Sequence, residues 1–376
     1  MAVEWVGAQL AEIHGHLRKH FSCVERLAVA VYDPKTGTLK TLAHSTAGES
    51  PLIRYEALLA DVPSLAELAQ SGRDRVIEDL AAFETSPHEH TRRLLRAGYQ
   101  SSYTMPVRAG GRLFGFLFFD SKQREYFRPL VVEQLAVFGH LLALTLIHSV
   151  TPVRMLHSAL RVASRLTHYR DPETGAHLDR MSHYARLIAQ VLAPKQNLSD
   201  EFIEFLFLFA PVHDIGKIAV PDSILLKRGR LLQQEFEVMK THVTKGAEIV
   251  DGIVHDLGLG AFPHLDILRH VVLFHHEAVD GSGYPEGLAG DRIPVEARIV
   301  AVADVFDALT SERPYKPAWS RDAALTYLSD GCGTKFDRGC VSVLTTRLRE
   351  VEEIGNRFLD TAGPGYQSRE GYTLDL

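Results

Sequence analysis

Histidine and carboxylate side chains are concentrated in three short strings in the second half of the chain. The strings are HDIGK at 213–217, HHEAVDGSGYPEG at 275–287 and AVADVFDALTSERPYK at 301–316. Imidazoles and carboxylates are ligands for hard-to-borderline divalent cations. With DPETGAHLDR and MKTHVTKGAEI, the strings supply more donors than one ion needs, which suits a cluster of two or three ions. The candidate metal ligands are Glu173, His177, His213, Asp214, His242, His275, His276 and Asp304.

The spacing of these residues indicates how they can share the ions. Glu173 and His177 are four residues apart, which places both side chains on one face of a helix. His275 and His276 are adjacent, so on a helix over 264–278 they point about 100° apart and can serve different ions. Asp304 lies among apolar residues, where a carboxylate needs a partner such as a cation.

Each of these residues also has an ordinary structural interpretation. A bare His-Asp pair is more often a capping carboxylate beside a buried imidazole, and a single histidine such as His242 is usually solvated. One of His275 and His276 could pack without binding metal. Asp307 either hydrogen bonds to a metal ligand or forms a salt bridge. The occurrence of all the strings in one half of the chain favours the metal-binding interpretation.

Residues 171 to about 340 resemble an HD-GYP domain, a branch of the HD phosphohydrolase superfamily. The strings that name this family are present as His213-Asp214 and Gly283-Tyr284-Pro285. The resemblance implies an all-α domain that hydrolyses cyclic di-GMP to linear pGpG, with GMP as a further product. It also implies a third metal ion, because Glu173 stands in the family's ETGxH string. The absence of thiolate from the ligand set favours iron, with manganese as the alternative.

Roles in catalysis follow from the resemblance and from the residue types. Asp214 is expected to bridge two ions, and Lys217 to stabilise a phosphoryl oxygen as a compact ammonium can. Metal-bound water supplies hydroxide near neutral pH for in-line attack on phosphorus. Tyr284, Arg313 and Lys316 are the candidate contacts to the base, the phosphate or guanine, although such residues often lie in ordinary solvated turns.

The composition argues against several classes of protein. Of 376 residues, 41 are Lys or Arg and 47 are Asp or Glu, and the resulting net charge of −6 argues against a general binder of DNA or RNA. Cys23, Cys332 and Cys340 predict free thiols in a reducing cytosol. Polar residues interrupt the apolar stretch 131–150, which predicts a buried or dimer-forming helix and no membrane span. No signal peptide is evident, and a cytoplasmic location is expected.

The first part of the chain predicts a mixture of helices and strands. Helices are expected over 3–21, 54–70, 87–97 and 129–149, strands over 27–33 and 38–44, and a β-hairpin over 101–121. This layout, and the string MPVRAGGRLFGFLFFDS within the hairpin, resembles a GAF sensory domain. Beyond it the pattern is helical, with later helices expected over 233–250, 264–278, 294–311, 320–329 and 339–356.

The expected fold is therefore multidomain, with an α/β GAF-like domain followed by an all-α HD-GYP domain. The predicted limits are 1–128 for the GAF-like domain, 129–169 for connecting and dimerisation helices, 170–360 for the HD-GYP domain and 361–376 for a C-terminal tail. A junction at Thr151-Pro152 divides the connecting segment into helices 129–149 and 152–169. The apolar residues that predict a parallel homodimer are Leu130, Val137, Leu141, Leu144 and Ile147.

Three functions fit these patterns. The first is a metal-dependent cyclic di-GMP phosphodiesterase regulated by the GAF-like domain. The second is a non-catalytic nucleotide sensor that signals through a partner protein at the Gly283-Tyr284-Pro285 loop. The third is a phosphodiesterase for another cyclic dinucleotide, such as cyclic GMP–AMP. The full ligand set favours an enzyme, whereas Ala278-Val279, in place of the basic and aromatic residues of many family members, predicts weaker substrate contacts.

Overall fold

The chain folds into two compact units, one of which carries an antiparallel sheet. The fold is taken from a computed structural model that describes residues 5–34, 36–46, 48, 50–52, 55–83, 89–168, 175–227, 229–260, 264–311 and 318–358. The first unit comprises Met1–Ala159, Ala193–Phe205 and Ile253–Asp266, and the second comprises Leu160–Leu192, Leu206–Gly252 and Ile267–Leu376. The domain limits expected from the sequence stay predictions, and the expected tail 361–376 lies outside the described residues.

The first unit is built around six strands. They are β1 (Arg26–Asp33), β2 (Thr38–Thr46), β3 (Glu56–Leu58), β4 (Arg75–Ile77), β5 (Ser101–Ala109) and β6 (Arg112–Ser121). They form one antiparallel sheet in the order β3-β2-β1-β6-β5-β4. The hairpin between β5 and β6 turns at Gly110 and Gly111, whose φ angles of 55° and 78° are left-handed, a conformation that glycine adopts without steric cost.

The helices of this region are α1 (Trp5–Leu17), α2 (Pro63–Ser71), α3 (Glu89–Arg96) and α4 (Pro129–His168). They confirm the expected α/β architecture, and the strands expected over 27–33, 38–44 and 101–121 are present. The helix expected over 54–70 is wrong in its first half. Residues 56–58 instead pair with β2 as an edge strand, and the helix begins at Pro63, since proline favours the first helical turn. The short strand β4 was not expected either.

Apolar side chains cover both faces of the sheet. One face packs against α1 and α4 through a large buried cluster that includes Leu10, Leu117 and Leu135. Gly139 of α4 permits a close approach there, because a Cβ atom at this position would lie 2.7 Å from Sδ of Met105. The other face packs against α2, and near it lies a cavity of about 70 Å³. The lining of this cavity is mostly apolar, with Arg26, Thr41, Tyr55 and His90 as its polar members.

Helix α4 is continuous over 40 residues, so the junction expected at Thr151-Pro152 is wrong. Pro152 lies inside the helix without ending it. Residues on one side of α4 are strongly exposed although apolar. The exposed fractions are 66% for Leu130, 61% for Val137, 58% for Leu141 and 64% for Leu144, whereas Ile147 packs against the sheet core.

By length and composition alone, one helical segment among the described residues could cross a membrane. It is Pro129–Pro152, with a mean hydropathy of 1.9, of which 28% is buried in the protein. This is weak support for a membrane span, because core helices of globular proteins meet the same criteria. Its apolar exposure is compatible with the dimer contact that the sequence predicts.

After α4, the described chain consists of helices and connecting turns. The helices are α5 (Gly175–Gln196), α6 (Asp200–Phe209), α7 (Asp222–Leu225), α8 (Gln233–Lys240), α9 (His242–Asp256), α10 (Leu265–Phe274), α11 (Val295–Thr310), α12 (Arg321–Asp330), α13 (Arg338–Thr346) and α14 (Leu348–Arg357). Side chains cap the first turns of α12 and α13, among others: Ser320 accepts a hydrogen bond from the Ala323 amide, and Asp337 accepts one from the Cys340 amide. The all-α architecture expected for this half of the chain is confirmed in these residues.

Three of the predicted helices are not continuous over their expected ranges. The expected helix 233–250 is interrupted at Thr241, and the expected helix 339–356 is interrupted at Arg347. The expected helix 264–278 ends at Phe274, so His275 and His276 lie in a turn and not on one helix. Nδ1 of His275 bonds to the backbone oxygens of Val271 and Val272, which a continuing helix would have used for its own amides.

Candidate metal centre

Seven of the eight candidate ligands come together in the second unit as two neighbouring groups. One group contains Asp214, His242, His275 and His276, and the other contains His177, His213 and Asp304. Within each group the potential ligand atoms all lie within 4.8 Å of one another. Glu173, the eighth candidate, lies outside the described residues, as do Arg313 and Lys316.

Asp214 lies between the two groups of histidines. Its Oδ1 atom is 3.2 Å from Nε2 of His242 and 3.7 Å from Nε2 of His275. Its Oδ2 atom is 3.2 Å from Nε2 of His213 and 2.7 Å from Nζ of Lys217. The two oxygens of one carboxylate therefore face different histidines, which is the geometry that a bridging ligand requires.

Hydrogen bonds to the backbone fix the orientation of three histidine rings. In His213, His242 and His275, the Nδ1 atom lies within hydrogen-bonding distance of a main-chain oxygen. The acceptors are Ala210 at 3.0 Å, Met239 at 2.8 Å and Val271 at 2.9 Å. Because a carbonyl oxygen can only accept, Nδ1 carries the proton in the neutral ring, and the Nε2 lone pair points toward Asp214.

This arrangement brings electron-rich atoms close together inside the protein. Among the described residues, Oδ1 of Asp214 and Nε2 of both His242 and His275 are buried and make no hydrogen bond. Such atoms repel one another unless a cation lies between them. Ligand–metal distances of about 2.0–2.2 Å at ordinary coordination angles separate two ligand atoms by about 3.0–3.4 Å. The 3.2 Å between Asp214 and His242 fits a shared divalent cation.

The second group is oriented by a carboxylate on α11. Oδ1 of Asp304 lies 3.7 Å from Nε2 of His177 and 3.8 Å from Nε2 of His213. On the opposite side of its ring, His177 bonds through Nδ1 to Oδ2 of the buried Asp307 at 2.7 Å. Asp307 therefore forms a hydrogen bond to a candidate ligand, one of the two roles that the sequence left open.

Arg180 holds Asp307 in place and was not identified from the sequence. Its Nε atom donates to Oδ1 of Asp307 at 2.7 Å, and its Nη2 atom donates to Oδ2 at 3.0 Å. Another guanidinium nitrogen donates to the backbone oxygen of Phe358 at 2.7 Å. The available signal was the spacing HLDR, which puts Arg180 one helical turn after His177 on α5.

The surroundings of these side chains shift their pKa values toward the protonation states that bind a metal ion. Burial alone would raise the pKa of Asp214, but the charge of Lys217 and the contacts with His213 and His242 outweigh it and hold that pKa well below its ordinary value. Burial lowers the pKa of His275. Burial lowers the pKa of His276 well below its ordinary value. Neutral imidazoles and an ionised carboxylate are the forms that bind divalent cations.

Two glycines bring the His213-Asp214 turn against α9. A Cβ atom on Gly216 would lie 1.8 Å from the backbone oxygen of His242 and 2.5 Å from the amide nitrogen of Gly246. No side chain fits in this space. The glycine in HDIGK therefore permits the contact that places His242 beside Asp214.

The Gly283-Tyr284-Pro285 loop is held by Glu277, whose role the sequence did not reveal. Its two carboxylate oxygens accept hydrogen bonds from the amides of Glu286 at 2.8 Å and Leu288 at 3.0 Å. A Cβ atom on Gly283 would lie 2.2 Å from the amide nitrogen of Ala278, so only glycine fits. The loop places the Tyr284 ring in a stack on His276, with ring centroids 4.8 Å apart.

Comparison with protein families supports both halves of this description. A model of the HD domain family matches residues 161–339, and a model of the GAF domain family matches residues 10–146. The first contains His177, His213, Asp214, His242, His275, His276 and Asp304. The second contains the whole six-stranded sheet.

Several curated proteins are similar to this chain over about half of its length. A cyclic di-GMP phosphodiesterase response regulator of Xanthomonas campestris, RpfG, is 48% identical over 54% of this chain and 51% of its own length. A cyclic di-GMP phosphodiesterase of Vibrio cholerae is 42% identical over 53% of this chain and 41% of its own. A 3'3'-cGAMP-specific phosphodiesterase of the same organism is 38% identical over 49% of this chain and 33% of its own.

The chain thus spans between 33% and 51% of the length of these relatives, and the similarity is confined to one part of each. Within this chain, however, the family matches coincide with the sheet and with the candidate metal centre. The resemblance predicted from the sequence strings is thereby confirmed. Residues 161–339 thus match the HD domain family, and the residues that match the GAF domain family, 10–146, precede them.

Proposed function

We propose that this protein is a metal-dependent phosphodiesterase that hydrolyses cyclic di-GMP to linear pGpG, with GMP as a further product. The observation that carries the proposal is Asp214, whose two oxygens face separate histidines with unprotonated Nε2 atoms directed at them. The names of the similar proteins from Xanthomonas and Vibrio support the substrate. Their similarity covers the part of this chain that contains the candidate metal centre.

The proposed metal set is two or three divalent ions, iron or alternatively manganese. Imidazole nitrogen and carboxylate oxygen suit both metals, and no thiolate belongs to either group of candidate ligands. Asp214, His242, His275 and His276 would hold one ion, and His177, His213 and Asp304 would hold another. The third ion depends on Glu173. Metal analysis per chain tests this point: loss of one equivalent in Glu173→Ala supports three ions, and an unchanged content of two contradicts it.

The side chains of this site have distinct tasks in the proposed reaction. When bound, the ions would polarise the phosphodiester and make hydroxide available near neutral pH. Asp214 holds its charge between the histidines, and Lys217 places an ammonium beside that carboxylate, from which it can reach a phosphoryl oxygen. Arg180 and Asp307 keep the ring of His177 in one orientation. Tyr284, Arg313 and Lys316 stay predictions as substrate contacts.

A second candidate substrate is cyclic GMP–AMP. It is favoured by the similarity to a protein named as a 3'3'-cGAMP-specific phosphodiesterase. Both substrates present the same phosphodiester to the metal centre, so the ligands do not distinguish them. The non-catalytic alternative is disfavoured because seven candidate ligands converge in the geometry described above.

The deciding experiment is hydrolysis by the protein loaded with iron or with manganese. Cyclic di-GMP, cyclic GMP–AMP and cyclic di-AMP are each incubated with it, and the products are separated by chromatography. Formation of pGpG supports the proposal, and preferential cleavage of cyclic GMP–AMP supports the second candidate. Binding of a cyclic dinucleotide without any product would favour the sensor. Asp214→Ala is the control for cleavage by a contaminating enzyme.

We further propose that the protein acts as a homodimer through α4, with the GAF domain as the regulatory part. The support is the exposed apolar stripe of Leu130, Val137, Leu141 and Leu144, which water would otherwise contact. The loop at 283–285 is the proposed contact for a signalling partner protein, and the proposed location is the cytoplasm.

A further inference from the structure

An exposed aromatic side chain lies beside the candidate metal centre and has no part in the function proposed above. Phe236, on α8, is 42% exposed. Its ring centroid is 6.3 Å from that of Tyr284, at an interplanar angle of 83°. Tyr284 in turn stacks on the candidate ligand His276. Phe236, Tyr284 and His276 therefore form an aromatic row that leads from the metal centre outward.

The exposure of Phe236 has no explanation in the packing of α8. None of the eight residues of this helix is buried, so the phenyl ring does not anchor it in a core. Ligand-binding sites combine aromatic side chains with a few polar groups, and Phe236 and Tyr284 provide the aromatic part here. Tyr284 already uses one ring face against His276, which leaves Phe236 as the more open aromatic surface of the row.

The positively charged side chain of Lys240 lies beside the rings of Phe236 and Tyr284. Nζ of Lys240, one turn after Phe236 on α8, lies 5.5 Å from the Phe236 ring centroid and 5.8 Å from that of Tyr284. Nζ of Lys240 donates one hydrogen bond to Oε2 of Glu237, at 2.6 Å. An ammonium has three donors, so two others are available to a ligand. The surface thus combines the aromatic ring of Phe236 with the ammonium of Lys240, which donates hydrogen bonds and cannot accept them.

Guanine is the nucleobase that matches this combination. Its O6 and N7 atoms are both acceptors on one edge, whereas adenine presents N7 beside an amino group that only donates. Its flat ring also stacks on an aromatic side chain, as bases do in proteins that bind single strands. In a cyclic dinucleotide, a base lies one ribose away from the phosphodiester, and the aromatic row extends outward from the candidate ligand His276.

We propose that Phe236 and Lys240 form a guanine-binding subsite in which the base stacks on Phe236 and accepts a hydrogen bond from Lys240. This inference rests on the proposed function, because it places the base of the substrate whose phosphodiester meets the metal centre. It assigns two specificity-determining residues that lie outside the HDIGK and GYP strings.

The test measures base binding separately from catalysis. Calorimetry on the manganese-loaded full chain gives Kd for GMP, for AMP and for ribose 5-phosphate, which carries the phosphate without a base. Phe236→Ala should weaken GMP binding about 5- to 100-fold, because the stacking partner is lost. Ribose 5-phosphate should bind unchanged. Lys240→Met should reduce the preference for GMP over AMP roughly tenfold.

Conservative variants and kinetics distinguish a contact from a structural effect. Phe236→Trp keeps an aromatic face and should retain GMP binding, whereas Phe236→Leu keeps apolar volume alone and should bind weakly. With cyclic di-GMP, Phe236→Ala should raise KM by a similar factor and leave kcat within about twofold. The matched control is Phe83→Ala, since Phe83 is a similarly exposed phenylalanine (46%) in the first unit.

The outcomes separate this inference from the proposed function. If the wild-type protein cleaves cyclic dinucleotides but Phe236→Ala binds GMP normally, the subsite is wrong and the phosphodiesterase stands. If the wild-type protein cleaves no cyclic dinucleotide, the proposed function fails, while the Kd values for GMP and ribose 5-phosphate still decide whether Phe236 holds a base.

Discussion

The ammonium of Lys217 lies 2.7 Å from Oδ2 of Asp214, the same oxygen that faces His213. One carboxylate oxygen therefore meets both a histidine of one metal group and a cation. The other oxygen faces His242 and His275 of the second group. The Asp214 carboxylate both forms an ion pair with Lys217 and faces the candidate metal ligands. Substitution of Asp214 should therefore affect metal binding, whereas substitution of Lys217 should affect the reaction rate.

Asp214→Ala should abolish hydrolysis and lower the bound metal per chain. The variant removes the two oxygens that face His213 of one group and His242 and His275 of the other, and leaves the lone pairs of these rings without their anionic neighbour. Elemental analysis and product chromatography measure the two effects. Asp291→Ala, at an exposed carboxylate with 98% side-chain exposure, is the matched control. Normal metal content in Asp214→Ala would show that this residue is not a ligand.

Lys217→Met should lower kcat about 10²- to 10³-fold while the protein keeps its metal, because one electrostatic contact to the transition state is lost. The isosteric apolar chain preserves the packing of the turn. Lys245→Met serves as the control, since Lys245 also pairs with a carboxylate but is 48% exposed on α9. A loss of metal equal to that in Asp214→Ala would instead assign Lys217 to holding the carboxylate.

Asp307→Ala should weaken binding of one ion about 10- to 100-fold, because outer hydrogen bonds orient a ligating histidine. It removes the acceptor of the His177 Nδ1 hydrogen bond and also leaves Arg180 without a partner carboxylate. Titration of the metal-free protein with manganese should show one weakened site and one normal site. Equal weakening of both sites would indicate general unfolding, which circular dichroism checks independently.

Asp337→Ala should destabilise the protein by about 0.5–2 kcal/mol, the usual effect of losing a helix cap. Burial raises the pKa of Asp337, but the Cys340 amide and the charge of Arg298 outweigh it and lower the pKa below 3.8. A carboxyl with a lowered folded-state pKa stabilises the fold above its unfolded pKa and loses this contribution as pH falls through the folded value. The difference in the free energy of unfolding between the wild type and Asp337→Ala should therefore be largest at pH 7 and decrease below about pH 4.

The matched variant for this test is Asp337→Asn, which can still cap α13 but cannot form the charged contact with Arg298 at 2.8 Å. Denaturant unfolding at several pH values provides the measurement. A pH-independent difference between the wild type and Asp337→Ala would contradict the assignment of the ion pair.

Leu141→Asp should convert the homodimer to a monomer, because a charge at the proposed interface is buried at a large cost on association. Leu141 is 58% exposed on α4, so the isolated chain tolerates the change. Light scattering at micromolar concentration should give 41.9 kDa for the variant and twice that mass for the wild type. Leu348→Asp, at a 46% exposed leucine on α14, should leave the dimer intact. A monomeric wild-type protein would end the dimer proposal.

The sequence alone determined which chemistry the second half of the chain could perform. Metal affinity depends on residue type, and His213-Asp214, His242 and Asp304 are recognisable from short strings. The strands over 27–33 and 38–44 and the hairpin were also predictable, because alternation of apolar residues along one strand is a local property. The same local logic failed at 56–58, where pairing with β2 overrides the helical pattern.

Only the tertiary structure decided how these side chains face one another. His177 and Asp307 are 130 residues apart, yet their hydrogen bond orients a candidate ligand. The turn at His275 depends on its own ring bonding to Val271 and Val272, which a helical period does not reveal. Phe236 meets Tyr284 across a gap of nearly fifty residues. Such contacts are set by the packing of distant segments, whereas a sequence pattern records the periodicity of one segment at a time.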